Sequence, residues 1–132
     1  MSVKLSGESL TPFLHIVKQY DHYIQSKDIR GIMSLFVTDD EPHSFGLHVN
    51  LNERKTLEQR FTDYFNAGES CTAAFEAGKS EPIVYHFGEA ACLCMMLPVK
   101  GFEDTRIRVT IFLENHCGQW LIRHQHISPS PD

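Results

Sequence analysis

Residues 120–128 read Trp-Leu-Ile-Arg-His-Gln-His-Ile-Ser, and this stretch decides the fold because apolar and polar side chains follow one another in it as they do in a β-strand. Successive side chains of a strand point to opposite faces of its sheet. The alternation predicts one face made of Trp120, Ile122, His124, His126 and Ser128, and an opposite face made of Leu121, Arg123, Gln125 and Ile127. A face that begins apolar and ends in imidazoles indicates a pocket lined by this strand.

The second half of the chain has the same strand character ahead of this stretch. Further strands are predicted near 71–77, 82–87, 90–99 and 106–114. The run 90–99 has no polar side, which predicts burial on both of its faces. Residues 88–89 indicate a tight hairpin turn, and residues 116–119 a longer one.

The first half of the chain instead has the spacing of helices. Amphipathic helices are predicted over 12–25, over 28–36 and from Asn52 to Gly68, with a short strand over 43–49. Helices first and an antiparallel meander afterwards predict an α+β fold, a cone in which three N-terminal helices pack on a strongly bent antiparallel sheet. A pocket is expected between the helices and the concave face of that sheet.

The composition is that of one globular domain. Its 132 residues are 42% hydrophobic and 22% charged, enough for a single core, and frayed tails are expected at 1–9 and 129–132. The net charge of −5, without a basic stripe, argues against nucleic acid as a partner. No stretch resembles a membrane span or a leader, so we expect a cytoplasmic protein away from membranes, with its four cysteines reduced.

Several local patterns point to one known superfamily. Residues 120–128 form a Trp-x-x-x-His-x-His-x-Ser ending, 27–36 an Asp-initiated helix, 87–91 a Gly-Glu-Ala hairpin, and 106–110 an Arg-x-Arg-x-Thr strand. Together they resemble the NTF2-like superfamily, in particular its SnoaL-like members and the association domains of calcium/calmodulin-dependent kinase II. The resemblance covers nearly the whole chain and implies a conical fold that commonly forms dimers through the outer face of its sheet.

Ketosteroid isomerase belongs to the same superfamily, and this resemblance implies a candidate reaction. Its enolate-stabilising tyrosine matches Tyr20, and the position of its catalytic carboxylate holds His43. Tyr20 would donate a hydrogen bond to a substrate carbonyl, while His43 or His126 moves the proton, since an imidazole pKa of about 6.5 suits neutral pH. The implied activity is a cofactor-free isomerase, cyclase or dehydratase. The structural alternative makes Tyr20 a core aromatic and His43 a loop residue.

The predicted ligand-binding residues are Arg108, His124, Phe112, Phe36 and Phe61. Arg108 would hold a carboxylate if its strand face lines the cone, and would lie at the surface if the opposite apolar face does. His124 and His126 have structural, catalytic and metal-binding interpretations, and no metal site is expected because a third ligand would have to come from elsewhere. The expected ligand is a small hydrophobic carbonyl or carboxylate compound, bound without a cofactor.

A non-catalytic assembly module is the alternative function. Its cone would be filled by side chains, and its outer sheet face would be apolar enough to bind a second copy of the chain. The apolar run 90–99 supports a homodimer under either function. Cavity volume and polarity are the observations that separate the two functions.

Overall fold

The computed structural model describes residues 2–39, 41–46, 49–51, 53–66, 81–99 and 102–129. Its elements in chain order are β1 (Val3–Lys4), a 3-10 helix (Gly7–Leu10), α1 (Thr11–Gln25), α2 (Ile29–Met33), β2 (His43–Gly46), β3 (Val49–Leu51), α3 (Arg54–Asn66), β4 (Ile83–Phe87), β5 (Ala90–Val99), β6 (Phe102–His116) and β7 (Gln119–Pro129). The predicted strand near 71–77, and the predicted helix ends Asn52 and Gly68, lie outside the described residues.

The helices form where capping residues and apolar spacing predict them. α1 begins at Thr11 with Pro12 in its first turn, where proline loses no hydrogen bond. It buries Phe13, Ile16, Val17, Tyr20 and Ile24. Asp28 caps α2 by accepting a hydrogen bond of 2.8 Å from the Gly31 N–H. α3 buries Leu57, Phe61 and Phe65.

α2 ends at Met33, three residues earlier than the sequence predicts. The Ile122 N–H donates to the Leu35 carbonyl at 2.7 Å, and the Val37 N–H donates to the Ile122 carbonyl at 2.9 Å. This pairing with β7 requires an extended backbone, which takes the last predicted turn out of the helix. It also buries Phe36 completely.

Within the described part of the chain, seven strands form one sheet in the order β1-β4-β5-β6-β7-β2-β3. The predicted α+β fold is confirmed, with one difference: β2 and β7 run parallel, because the chain enters β2 from the helices and not through a hairpin. The predicted strand over 43–49 is divided into β2 and β3, which pair with each other. Residues 2–9, predicted to fray, include β1, which pairs with β4.

Two tight turns join the long strands. Gly88 has a φ of +62° in the turn between β4 and β5, a conformation that glycine adopts without strain. Cys117 and Gly118 have φ values of 55° and 89°, which is the pattern of a two-residue type I′ hairpin between β6 and β7. The second turn is therefore shorter than the sequence predicts.

The core lies between the helices and the concave face of the sheet. On β5, Leu93 and Leu97 are at most 1% exposed, whereas Met96 on the other side of the strand is 42% exposed. The run 90–99 is thus buried on its concave face in the isolated chain, and burial of the other face would require a partner. None of the helices in the described ranges is long and apolar enough to cross a membrane.

Candidate functional site

A β-bulge in β7 determines which side chains face the cone. Phe112 of β6 pairs with His124, but the next residue of β6, Leu113, pairs with Ile122, so Arg123 is an extra residue in β7. An extra residue shifts the alternation of side chains by one position. The two halves of β7 therefore follow opposite patterns.

The bulge reverses the predicted faces in the second half of β7. Ile122 is fully buried ahead of the bulge, and Gln125 beyond it is 3% exposed and faces the concave side. His124 and His126 lie on the outer, convex face, on the side of the sheet where Phe112 is exposed. The prediction that Ile122 shares a face with both histidines is wrong, because strict alternation holds only in a strand without a bulge.

The bulge residue, Arg123, is fixed by two carboxylates. Its guanidinium donates to both oxygens of Asp39, at 2.7 and 2.6 Å, and to both oxygens of Glu114, at 3.0 and 2.9 Å. It also donates to the Glu41 carbonyl at 3.1 Å. The hydrogen bonds from Arg123 lower the pKa of Asp39 to about 2 and also lower the pKa of Glu114. The bulge is thereby held against the segment that leads into β2.

A small cavity lies between α1 and the concave face of β5, β6 and β7. Its volume is about 20 Å³, close to the space that one water molecule needs. Two polar side chains, Tyr20 and Gln125, contribute to its wall. The apolar residues that line it are Val17, Met95, Leu97, Val109, Ile111 and Ile127.

Tyr20, Gln125 and Ser44 form a buried hydrogen-bond chain at this cavity. The Tyr20 hydroxyl donates to the Gln125 side-chain carbonyl at 2.8 Å, and the Gln125 amide donates to the Ser44 hydroxyl at 3.0 Å. Burial raises the pKa of Tyr20 far above its usual range, against the opposing effect of the Gln125 bond. The tyrosine is therefore neutral at physiological pH, and the polar end of the cavity consists of uncharged groups.

The outer face carries three histidines, His43 of β2 with His124 and His126 of β7, which we call the imidazole cluster. The centroid of the His124 ring lies 6.1 Å from that of His43 and 5.0 Å from that of the Phe45 ring. Burial lowers the pKa of His124, and the neighbouring His43 and His126 lower it further. Among the described residues, no three His, Cys, Asp or Glu side chains are arranged to hold a metal ion.

Large apolar side chains lie on the same outer face as this cluster, from β4 across to β2, and we call them the apolar patch. Each is between 37% and 47% exposed, and the set is Phe45, Ile83, Tyr85, Phe87, Met96 and Phe112. Cross-strand pairing joins most of them in two rows, one of Tyr85, Cys92, Phe112, His124 and His43, the other of Ile83, Cys94, Thr110, His126 and Phe45. A contiguous apolar surface of this kind is typical of an interaction site.

The structure separates the predicted catalytic residues. Tyr20 faces the concave side and bonds to Gln125, whereas His43 and His126 lie on the outer face. The sheet therefore stands between the phenol and both imidazoles. The residues it does bring to Tyr20 are Gln125 and Ser44.

The predicted ligand-binding residues are divided in the same way. Val109 and Ile111 face the cone, so Arg108 and Phe112, which alternate with them, lie on the outer face with His124. This answers the open question about the two faces of β6. The remaining pair, Phe36 and Phe61, is buried in the core with ring centroids 6.1 Å apart.

Sequence reasoning missed Gln125 as a cavity residue and Ser44 as its hydrogen-bond partner. Regular alternation puts Gln125 on the face opposite the pocket, and only the bulge at Arg123 turns it inward. Ser44 joins it because β2 pairs in parallel with β7, a long-range contact. No local pattern in the sequence indicates the bulge at Arg123 or the parallel pairing of β2 with β7.

The chain resembles known proteins in sequence and in fold. A family model described as a SnoaL-like domain matches residues 14–132. No curated protein matches the sequence.

Solved structures of similar fold come from several bacteria. A cystatin-like-fold protein of unknown function from Nostoc punctiforme has a TM-score of 0.78 at 14% identity, covering 98% of this chain and 97% of that one. An NTF2-like protein of unknown function from Pseudomonas putida has a TM-score of 0.75 at 18% identity, covering 97% and 91%. A candidate calcium/calmodulin-dependent protein kinase type II association domain from Thiobacillus denitrificans has a TM-score of 0.67 at 15% identity, covering 87% and 92%. These likenesses concern the fold.

Proposed function

Because the chain belongs to the SnoaL-like domain family, we propose that it binds a small apolar molecule with one uncharged polar group, inside the cone between α1 and the sheet. The observation that carries the proposal is the buried hydrogen-bond chain of Tyr20, Gln125 and Ser44 at the end of an apolar cavity. A binding site of this kind combines hydrophobic walls with a few polar groups that fix the orientation of the ligand.

The polar end of the cavity favours a carbonyl or hydroxyl group over a carboxylate. Tyr20 and Gln125 are uncharged, and Arg108, the predicted carboxylate anchor, is on the other side of the sheet. A carboxylate would lose its hydration at this site without gaining a cationic partner from the described lining. A ketone oxygen would share the Tyr20 O–H with the Gln125 carbonyl as a second acceptor in a three-centre hydrogen bond.

The ligand must also enlarge the cavity. A volume of about 20 Å³ holds about one water, so a ring compound has to displace side chains of the lining. Met95 is the residue best suited to move, since an unbranched thioether has several accessible rotamers. The proposal is for binding, because the described lining offers no base beside Tyr20 that could remove a proton.

A matched set of probes tests this function: 2-tetralone as the ketone, tetralin as the hydrocarbon and 2-naphthoate as the carboxylate. Isothermal titration should give the tightest binding for the ketone. Tyr20→Phe should weaken ketone binding about five- to tenfold, the value of one hydrogen bond, and leave tetralin unchanged. His126→Gln on the outer face is the control and should bind as the parent does. Equal ketone affinity in the parent and in Tyr20→Phe would refute the proposal.

Self-association through the outer face is a second candidate function, favoured by the apolar patch and by a cone that side chains fill except for about 20 Å³. A second copy of the chain fits this face because exposed arginines lie toward one end of β6 and carboxylates toward the other. Arg106 and Arg108 are exposed at one end of β6, while Glu114 and Asp39, with one shared arginine, lie at the other. A twofold axis that crosses β6 between these ends would bring each arginine end over the acidic end of the other copy.

Light scattering after gel filtration at pH 7.5 tests the self-association. The expected mass is twice the 15.1 kDa of one chain. Phe112→Glu, in the middle of the apolar patch, should give the monomer mass because it would bury an unpaired charge. Val3→Glu is the matched control, since Val3 is 54% exposed but pairs with His86 away from the patch. A monomer mass for the parent protein would rule out the dimer.

A further inference from the structure

The imidazole cluster lies within the surface that the proposed dimer would bury, between Phe112 of β6 and Phe45 of β2. His43 pairs in register with His124, and Phe45 pairs with His126, so the three histidines occupy neighbouring positions on two adjacent strands. The His124 ring packs edge-on against the Phe45 ring. The three imidazoles are therefore close to one another and partly enclosed by apolar surface.

Charged groups near the cluster do not favour its protonation. From β6, the residues that face it are Phe112 opposite His124 and Thr110 opposite His126, followed by the cationic Arg108. On β7, the neighbouring charge is Arg123. Its two carboxylate partners, Asp39 and Glu114, are already engaged in ion pairs with this arginine. The groups that act on His124 are its burial and the two other histidines, and all three lower its pKa. A positive charge at His124 thus meets like charges in a half-buried position.

Resting on the proposed self-association, we propose that the outer face binds a second copy only while the imidazole cluster is neutral, so that the dimer dissociates between about pH 7 and pH 5.5. Contact with the second copy would remove the remaining water from the cluster. Two chains together bring six imidazoles into one interface, and protonation would leave like charges adjacent in an apolar setting. The patch is then an interface with a built-in acid switch.

The direction follows from proton linkage. A histidine whose pKa is lower in the dimer than in the monomer binds fewer protons in the dimer, so acidification favours the monomer. If each monomer takes up one proton and the dimer takes up none, the dimer dissociation constant rises by at most about 100-fold between pH 7.5 and 5.5 for a histidine pKa of about 6.5, and by less for His124, whose pKa is already lowered in the single chain. Participation of all three histidines makes the rise larger.

Analytical ultracentrifugation of the full chain at pH 7.5 and 5.5, at constant ionic strength, tests the switch. The parent protein should show a weakening of about tenfold to 100-fold while its circular dichroism spectrum is unchanged. His124→Gln should lose most of this change, because glutamine is neutral at both pH values. His15→Gln is the control: His15 is exposed on α1 and its replacement should leave the pH dependence intact.

The outcomes distinguish the switch from the dimer itself. A dimer of equal affinity at both pH values would overturn the switch and leave the self-association standing. A monomer at both pH values would overturn the self-association and the switch with it. A pH dependence that survives both in His124→Gln and in His126→Gln, an exposed position that tolerates the change, would show that other groups control the dimer and would also overturn the switch.

Discussion

The two faces of the strand β6 come from alternate residues of one segment, yet they have different chemistry. On the concave face, Val109, Ile111 and Leu113 are at most 5% exposed, while Phe112 on the outer face is 37% exposed. The polar groups that line the cavity are an uncharged phenol and amide, whereas the outer face carries imidazoles, arginines and Glu114. The concave face is suited to a binding site that pH does not affect, and the outer face to contacts that pH can change.

The β-bulge at Arg123 determines which polar side chains of β7 face the cone and which face outward. If Arg123 continued the regular alternation of β7 and did not form a bulge, His124 and His126 would face the cone and Gln125 the outside. The bulge thus exchanges ionisable imidazoles for a neutral amide at the cavity. A single β-bulge can therefore separate groups that regular alternation of the same strand would place on one face.

The largest expected effect comes from adjacent substitutions on the two faces, Leu113→Ala and Phe112→Ala. Leu113 is fully buried, so its truncation should lower the free energy of unfolding by about 2–5 kcal/mol. Phe112→Ala should cost less than about 1 kcal/mol in the monomer, because the ring is already partly in water. Urea denaturation at protein concentrations too low for self-association measures the free energy of unfolding of both variants. Equal costs would contradict the assignment of the two faces.

A smaller effect is expected from Arg123→Ala, which removes the ion pairs that hold the bulge. The loss should be about 1–2 kcal/mol, below the value for fully buried pairs because the Asp39 side chain is 50% exposed and screened by solvent. The pKa of Asp39 is lowered in the folded state to about 2, so its contribution is present above about pH 4 and is lost as pH falls toward 2.

Urea titrations of Arg123→Ala at pH 7 and pH 3 check this assignment. The difference in stability between the variant and the parent should shrink at the lower pH. Lys55→Ala is the matched control, since its ion pair with Glu53 has an N–O distance of 3.8 Å and the lysine is 84% exposed. It should change stability by less than about 0.5 kcal/mol. A difference for Arg123→Ala that is the same at both pH values would exclude the two carboxylates as the source of its effect.

The sequence predicts the fold well because the fold depends on repeated local signals. The apolar spacing of α1, the Asp28 cap and the alternation in β6 are each visible within about a dozen residues. The early end of α2 is different, since Leu35 leaves the helix to bond with Ile122, which is far away in the sequence. Helix propensity depends on local sequence and does not account for a hydrogen bond to a distant strand.

The candidate site was less predictable for the same reason. Tyr20 is identified by its helix face, but its partners Gln125 and Ser44 depend on a bulge and on a parallel strand pair. Both features are set by long-range pairing and leave no periodic signal. Alternation alone therefore assigns the histidines to the wrong side of the sheet.

The smallest effect separates the two tyrosines on opposite faces of the sheet. Tyr20→Phe removes the hydroxyl that donates to Gln125 and should lower the free energy of unfolding by about 1 kcal/mol. Tyr85→Phe is the matched control, because Tyr85 is 39% exposed on the outer face and should change stability little. The Tyr20 effect should be constant from pH 6 to pH 9, since burial keeps this phenol neutral throughout. A cost for Tyr85→Phe equal to that for Tyr20→Phe would mean that the buried hydroxyl gains nothing from its position at the cavity, and the distinction between a neutral polar concave face and a solvated outer face would fail.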